Sequence, residues 1–143
     1  MRRVTRSAER HDADAEEGRA LVADLIARYR HAGLLDDAAY AQARASSLHA
    51  RGISLRVIAG RLREKGVGEA EIEDALATIA EEAGDGSSPD LAAARRTARR
   101  RRLGPWRNHA DRTARREKDL TSLARAGFSY DVAKQVIDAE DPV

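Results

Sequence analysis

Cysteine is absent from this 143-residue chain, which excludes disulfides and thiolate metal sites and leaves the redox compartment open. Aromatic residues amount to 3%, with a single Trp and a single Phe, so a core has to be assembled from Leu, Ile, Val and Ala. Such a core is thin. It suits a row of small modules better than one large globule. No apolar run approaches membrane-spanning length, and the basic segment Met1 to His11 is not followed by the apolar stretch of a secretory leader. A cytoplasmic protein without a membrane partner is expected.

The constellations that carry catalysis are also missing. His11, His31, His49 and His109 are scattered, and none pairs with another at metal-ligand spacing. Asp12, Asp14 and Glu16 resemble the opening of a calcium loop, but Gly18 falls one position late and Ala23 stands where the closing carboxylate belongs. Gly84 and Gly86 lack the lysine and the preceding strand of a phosphate loop, and no serine sits in a nucleophile elbow. The residues point to a non-enzymatic protein with no cofactor, no metal and no small-molecule substrate.

What recurs is a glycine, an apolar residue beside it, and two further apolar positions six and ten residues past the glycine. Gly52 carries Ile53, Ile58 and Leu62; Gly66 carries Val67, Ile72 and Leu76; Gly127 carries Phe128, Ala133 and Ile137. Gly33, with Leu34, Ala39 and Ala43, is a weaker copy. Glycine suits the left-handed residue that ends a helix, and a spacing of four keeps the later pair on one face of the next helix. The unit therefore predicts helix, tight turn, helix. Its repetition predicts small helical modules, each covering the apolar face of its neighbour. Gly66→Val is expected to damage folding, because a β-branched residue resists positive φ.

Periodicity and capping signals predict seven helices. They run from about Asp14 to His31, with Leu21, Val22, Leu25, Ile26 and Tyr29 on one stripe; Asp36 to Arg51, with Ala38, Ala39, Ala41 and Ala43 as a small-residue face; Ser54 to Lys65; and Glu69 to Glu82. Beyond a linker at residues 84–89 follow Asp90 to Leu103, broken by Gly104 and Pro105; a helix starting between Asn108 and Asp111 and ending at Ala126; and Tyr130 to Ala139, capped by Ser129. No segment alternates as a strand does, so the class is all-α. The expected organisation is a partial first repeat at 1–35, a middle repeat at 36–83, the linker at 84–89 and a C-terminal repeat with a basic helix at 90–143.

Charge is sorted along the chain although the net value is only +2. From Glu64 to Asp90 one basic residue stands against nine acidic ones, and from Leu91 to Lys118 eleven basic residues stand against two acidic. At 100° per residue, Arg95, Arg96, Arg99, Arg100 and Arg102 cover one half of the fifth helix, opposite a stripe of Leu91, Ala94 and Ala98. Arg101 falls on the apolar side and has to snorkel. Five like charges on one face repel one another, which a polyanion would relieve. If all five met phosphates, log affinity for single strands would fall with a slope of roughly −3.5 against log salt.

Trp106, beside Arg107, is read as a plug between two helices in preference to a base-stacking platform. A smaller cationic cluster comprises Arg51, Arg56, Arg61, Arg63 and Lys65. The turn at Gly52 would make Ser54 to Lys65 a groove-reading helix, but its recurrence at Gly66 and Gly127 favours repeat scaffolding. The candidate partner-binding residues are thus Arg95, Arg96, Arg99, Arg100, Arg102, Arg107, Arg56, Arg63 and Lys65.

The run Gly33, Leu34, Leu35, Asp36, Asp37, Ala38, Ala39, Tyr40, Ala41, followed by Gly52, Ile58, Leu62, Lys65, Gly66, Val67, Ile72, Ala75 and Leu76, resembles the RecX family of bacterial regulators of the recombinase RecA. Leu120, Leu123, Ala124, Arg125, Ala126, Gly127, Phe128 and Ser129 are similar to the family's last repeat. The resemblance implies tandem three-helix repeats in an elongated, curved body lying in the groove of a RecA filament on single-stranded DNA. Limited filament growth and damped ATPase, strand-exchange and co-protease activity are the implied consequences. It makes Gly33, Asp36, Asp37, Tyr40, Gly52, Gly66, Gly127 and Phe128 mainly architectural. It also implies a fuller first repeat than the residues before Asp14 supply, and it leaves Arg107 to Arg116 without a place in any repeat. The runner-up is a free-standing DNA-binding protein using the arginine-rich helix.

Overall fold

The structure, a computed structural model, describes residues 13–25 and 36–142. The chain divides into two units, Met1–Asp36 and Asp37–Val143. In the first, residues 13–25 form helix α1, on which Leu21, Val22 and Leu25 are 68%, 57% and 48% exposed. Gly33, Ile26 and Tyr29 lie outside the described residues.

Among its described residues the second unit holds six helices: α2 (Asp37–Ala50), α3 (Leu55–Glu64), α4 (Glu69–Glu82), α5 (Pro89–Arg101), α6 (His109–Arg125) and α7 (Tyr130–Ile137), with a 3-10 turn at Gly104–Trp106. No strand occurs among the described residues, in keeping with the all-α reading. Three-helix packing occurs twice. Helices α2, α3 and α4 enclose one core of Ala41, Ala45, Leu48, Ile58, Leu62, Val67, Ile72 and Ile79. Helices α5, α6 and α7 enclose another of Ala93, Ala94, Ala98, Leu103, Leu120, Leu123, Phe128, Val136 and Ile137, with Trp106 packed at its edge.

One turn ends four of these helices. The residue after the helix turns left-handed, its N–H returns to the carbonyl three residues back, and the next N–H returns five residues back. Gly52 N reaches His49 O at 2.9 Å while Ile53 N reaches Leu48 O at 3.2 Å; Gly66 and Val67 repeat this on Arg63 and Leu62, and Gly127 and Phe128 on Ala124 and Leu123. The fourth copy was hidden in the sequence, because Arg102 takes the glycine's place. Its φ is 55°, and it bonds Arg99 O at 3.2 Å while Leu103 N bonds Ala98 O at 2.8 Å. Helix α5 thus ends at Arg101 rather than near Leu103, one turn before the Gly104–Pro105 breaker. A left-handed conformation disfavours any residue with a Cβ by about 1–2 kcal/mol. Arg102→Gly is therefore expected to raise stability by up to about 1 kcal/mol, read as a higher urea midpoint at unchanged slope.

Of the weaker copy, Gly33 and Leu34 lie outside the described residues, and its two alanines do not face inward. Ala39 and Ala43 are exposed, and α2 packs inward through Ala41, Ala45 and Leu48 instead. The inward stripe is displaced by two residues, or about 200° around the helix, so of the expected alanine face only Ala41 is buried. Elsewhere the pattern held: Ile58, Leu62, Ile72, Ala133 and Ile137 are buried and Leu76 is half-buried.

The two three-helix groups lock through their turn glycines. A Cβ on Gly52 would stand 2.6 Å from Thr97 Oγ1 and 3.0 Å from Ala93 O on α5; one on Gly127 would stand 2.7 Å from Ser54 Oγ and from Val57 Cγ2 at the start of α3. Each group therefore presents a bare backbone turn to a helix of the other. Nothing lies within 4 Å of a Cβ at Gly66, whose φ is +81°. The expected damage from Gly66→Val is accordingly limited to backbone strain. Helix starts join the same seam: Ser54 Oγ accepts from Val57 N at 3.3 Å, and Asp90 Oδ1 of the other group accepts from Leu55 N at 2.9 Å. Ser88 caps α5, accepting from Leu91 N at 3.3 Å.

Candidate functional site

Helix α5 buries Ala93, Ala94, Thr97 and Ala98 and turns its arginines outward. The buried side is narrow because small residues allow the α2–α3 turn to approach closely, and Thr97 Oγ1 donates to Gly52 O at 2.7 Å. That approach divides the expected five-arginine surface. Arg96 Nη1 donates to His49 O at 3.0 Å and Arg100 Nη1 to Arg51 O at 2.6 Å. Both carbonyls lie at the carboxyl end of α2, where intrahelical donors have run out. The two side chains thus serve as a cap between groups, and His49 Nε2 pairs with Pro89 O at 2.9 Å beside them.

Arg95, Arg99 and Arg102 remain. They are exposed and have no protein partner among the described residues. Arg95 and Arg99 stand one turn apart on one face of α5, and Arg102 follows in the left-handed turn that ends the helix. Arg101, expected on the apolar side, reaches sideways to Ser122 Oγ at 3.2 Å.

Other candidates are placed elsewhere. Arg107 is 27% exposed and its fork closes on Asp119, itself 1% exposed: Nη2 to Oδ1 at 2.7 Å and Nε to Oδ2 at 3.1 Å. Asp119 Oδ2 also accepts from Gly104 N at 2.9 Å. Hydrogen bonding to Asp119 raises the pKa of the Arg107 guanidinium. Arg107 is therefore a structural residue of the second core and not part of an outer surface. Arg63 forks onto Glu69 across the α3–α4 turn, holding that carboxyl below its ordinary range through the hydrogen bond. Arg56 and Lys65 are exposed near opposite ends of α3; Arg56 lines a hollow of about 300 Å3 with Asp90 and Phe128. They do not join the α5 line into a single patch. Asp36 precedes α2, Asp37 opens it, Tyr40 is exposed and Phe128 is buried.

The stretch from Arg107 to Arg116 has an internal use as well. Arg112 donates to the last carbonyl of α7, Ile137 O, at 3.5 Å and to the carbonyls of Ala139 and, at 3.1 Å, Glu140 in the segment that follows. Arg116 forks onto Asp138 at 2.7 and 2.8 Å and lowers that carboxyl's pKa, chiefly by hydrogen bonding. A depressed carboxyl stabilises the fold above the usual aspartate range, and this contribution is lost as pH falls through its folded pKa. The planar fork that matches phosphate matches helix-end carbonyls and carboxylates equally well, so arginine counts alone overstate the free surface. The described residues contain no group of His, Asp or Glu able to hold a metal and no helix long and apolar enough to cross a membrane.

Successive three-helix groups locked turn to helix, with a line of unpaired arginines on the junction helix, define a tandem helical-repeat protein. A family model described as "RecX, second three-helix domain" matches residues 36–76, the segment spanning α2, α3 and most of α4. A protein named Regulatory protein RecX from Myxococcus xanthus is 46% identical over 140 residues, 97% of this chain and 72% of that relative. Proteins of the same name from Streptomyces coelicolor and Agrobacterium fabrum are 34% and 36% identical, covering 80% and 75% of this chain and 57% and 56% of their own lengths. The chain belongs to the RecX family of regulatory proteins. It spans less than two thirds of the latter two relatives, and no solved structure matches it.

Proposed function

We propose that this chain binds the RecA recombinase filament on single-stranded DNA and restrains its ATPase, strand-exchange and co-protease activities, without catalysing a reaction itself. Family membership supports the regulatory part. The observation that carries the surface is the line of Arg95, Arg99 and Arg102, unpaired on a helix whose other arginines all have partners within the fold. Cations left without carboxylates on a rigid element suit an anionic partner surface, either acidic side chains of the recombinase or phosphates within the filament. Retaining Arg102 in a left-handed conformation that glycine occupies in the sister turns fits a side chain kept for contact.

The test is RecA ATPase on single-stranded DNA with the wild-type chain and with Arg95→Glu/Arg99→Glu/Arg102→Glu. Wild type is expected to depress turnover at a low ratio to RecA, and the triple variant to lose that effect while its circular dichroism is unchanged. Undiminished inhibition would remove this surface from the mechanism. Arg96 and Arg100 are left intact, since reversing them would uncap α2 and confuse folding with binding. The second reading, a free-standing DNA binder using α5, is favoured by the same line. With three free guanidinium groups instead of five, its salt slope on bare single strands would be about −2.

A further inference from the structure

Helix α4 carries six carboxylates and no basic residue: Glu69, Glu71, Glu73, Asp74, Glu81 and Glu82. Its buried side is Ile72, Ala75 and Ile79, which turns Glu73, Asp74 and Glu81 outward with the exposed alanines Ala70, Ala77 and Ala80 among them. Glu69 is taken by Arg63. Glu73, Asp74, Glu81 and Glu82 are exposed, and their carboxylates have no partner among the described residues. The arrangement is unfavourable for the helix by itself. Glu81 and Glu82 stand at the carboxyl end, where the helix dipole is already negative, and Glu73 follows Glu69 at i+4 with the same sign. On α5 the converse holds, since Arg95, Arg99 and Arg102 are exposed without a carboxylate. Each chain thus bears both halves of a complementary pair and leaves them unjoined among its described residues.

We propose that the outer face of α4 docks a second copy of this chain, with Glu73, Asp74 and Glu81 of one copy meeting Arg95, Arg99 and Arg102 of the next. The two rows match in length, about 12 Å from Glu73 to Glu81 and about 10 Å from Arg95 to Arg102, at a rise of about 1.5 Å per residue. The alanines among the carboxylates let a second helix approach closely, so that guanidinium forks can close on carboxylate oxygens in pairs. The acidic row repels a nucleic acid, whereas a second copy brings cations that the fold already spaces to suit it. Acidic and basic rows are different patches, so the contact is head-to-tail and leaves one row free at each end for a further copy. Exposed ion pairs are individually weak and are screened by salt; the association is therefore reversible, grows with concentration and fades as salt rises. It occupies the arginines of the free chain, and another anionic partner has to displace a second copy to reach them. The inference goes beyond the filament reading and does not depend on RecA.

The test is sedimentation velocity on the full chain, without RecA or nucleic acid, over a dilution series. Two salt conditions are compared, about 0.01 M, where charges act over about 30 Å, and about 1 M, where they act over about 3 Å. At low salt the weight-average mass is expected to rise with concentration above the 15.6 kDa of one chain, and at high salt to return to it. Glu73→Lys/Asp74→Lys/Glu81→Lys and Arg95→Glu/Arg99→Glu/Arg102→Glu should each stay monomeric at low salt, because like rows repel. Mixed in equal amounts, they set one native acidic row against one native basic row and should form a 1:1 complex. Lys118→Glu/Arg125→Glu, which reverses exposed cations off both rows, should associate as the wild type does. A wild type that is monomeric at every concentration in low salt overturns the proposal. So does association that survives either triple reversal, that strengthens with salt, or that is lost equally in the α6 variant, where net charge and not the two rows would govern. If a reversal lowers helix content by circular dichroism, Glu73→Gln/Asp74→Asn/Glu81→Gln and Arg95→Gln/Arg99→Gln/Arg102→Gln give the same readout. None of these failures bears on RecA inhibition, which fails separately if the wild-type chain leaves the ATPase unchanged.

Discussion

Gly52→Ala is expected to cost this chain about 3–5 kcal/mol, against about 1 kcal/mol for Gly66→Ala. Both glycines have positive φ, 86° and 81°, so the backbone term is shared. The difference is what a methyl would meet. At Gly52 it would stand 2.6 Å from Thr97 Oγ1 and 3.0 Å from Ala93 O, whereas at Gly66 it would meet nothing. Relieving the clash moves the α2–α3 turn away from α5, and that breaks the buried Thr97 to Gly52 hydrogen bond and draws Arg96 and Arg100 off their carbonyls. Urea unfolding of the two variants side by side is the measurement. Equal midpoints would mean that the turn does not bear on α5 as described.

Asp119→Ala is expected to destabilise the second three-helix group by about 3–5 kcal/mol, the range for removing one partner of a buried ion pair. Two groups lose their acceptor at once, the Gly104 N–H and the half-buried Arg107 fork. Arg107→Lys should also be costly, because a single ammonium cannot span both carboxylate oxygens. A double-mutant cycle on the pair should show coupling above about 1 kcal/mol. Near-additive losses would reduce the pair to two independent contributions. Any loss of regulatory activity in these variants would then follow their unfolding curves rather than report a contact surface.

Helix existence and most boundaries were legible because their causes lie within a few residues. Ser54 and Ser129 cap the N–H three residues on, and glycine followed by an apolar residue closes the turns at Gly52, Gly66 and Gly127. The spacing failed at Ala39 and Ala43, since small residues are compatible with either side of a helix and do not specify a face. It also missed Arg102, because a turn that accepts a strained arginine has no glycine to mark it. The candidate surface was legible only in outline. Charge sorting located α5, but Arg96 and Arg100 find their partners 47 and 49 residues away, and Arg107 meets the buried Asp119 of α6, 12 residues away.

Local hydrogen-bond rules and a 3.6-residue period acting between near neighbours made this chain all-α and set its repeated turn, and the sequence by itself determined both. Tertiary structure alone decided which arginines are free. A guanidinium is satisfied by any well-placed carbonyl or carboxylate, and only the docking of one three-helix group on the next brings the carboxyl end of α2 within reach of Arg96 and Arg100 while leaving Arg95, Arg99 and Arg102 facing solvent.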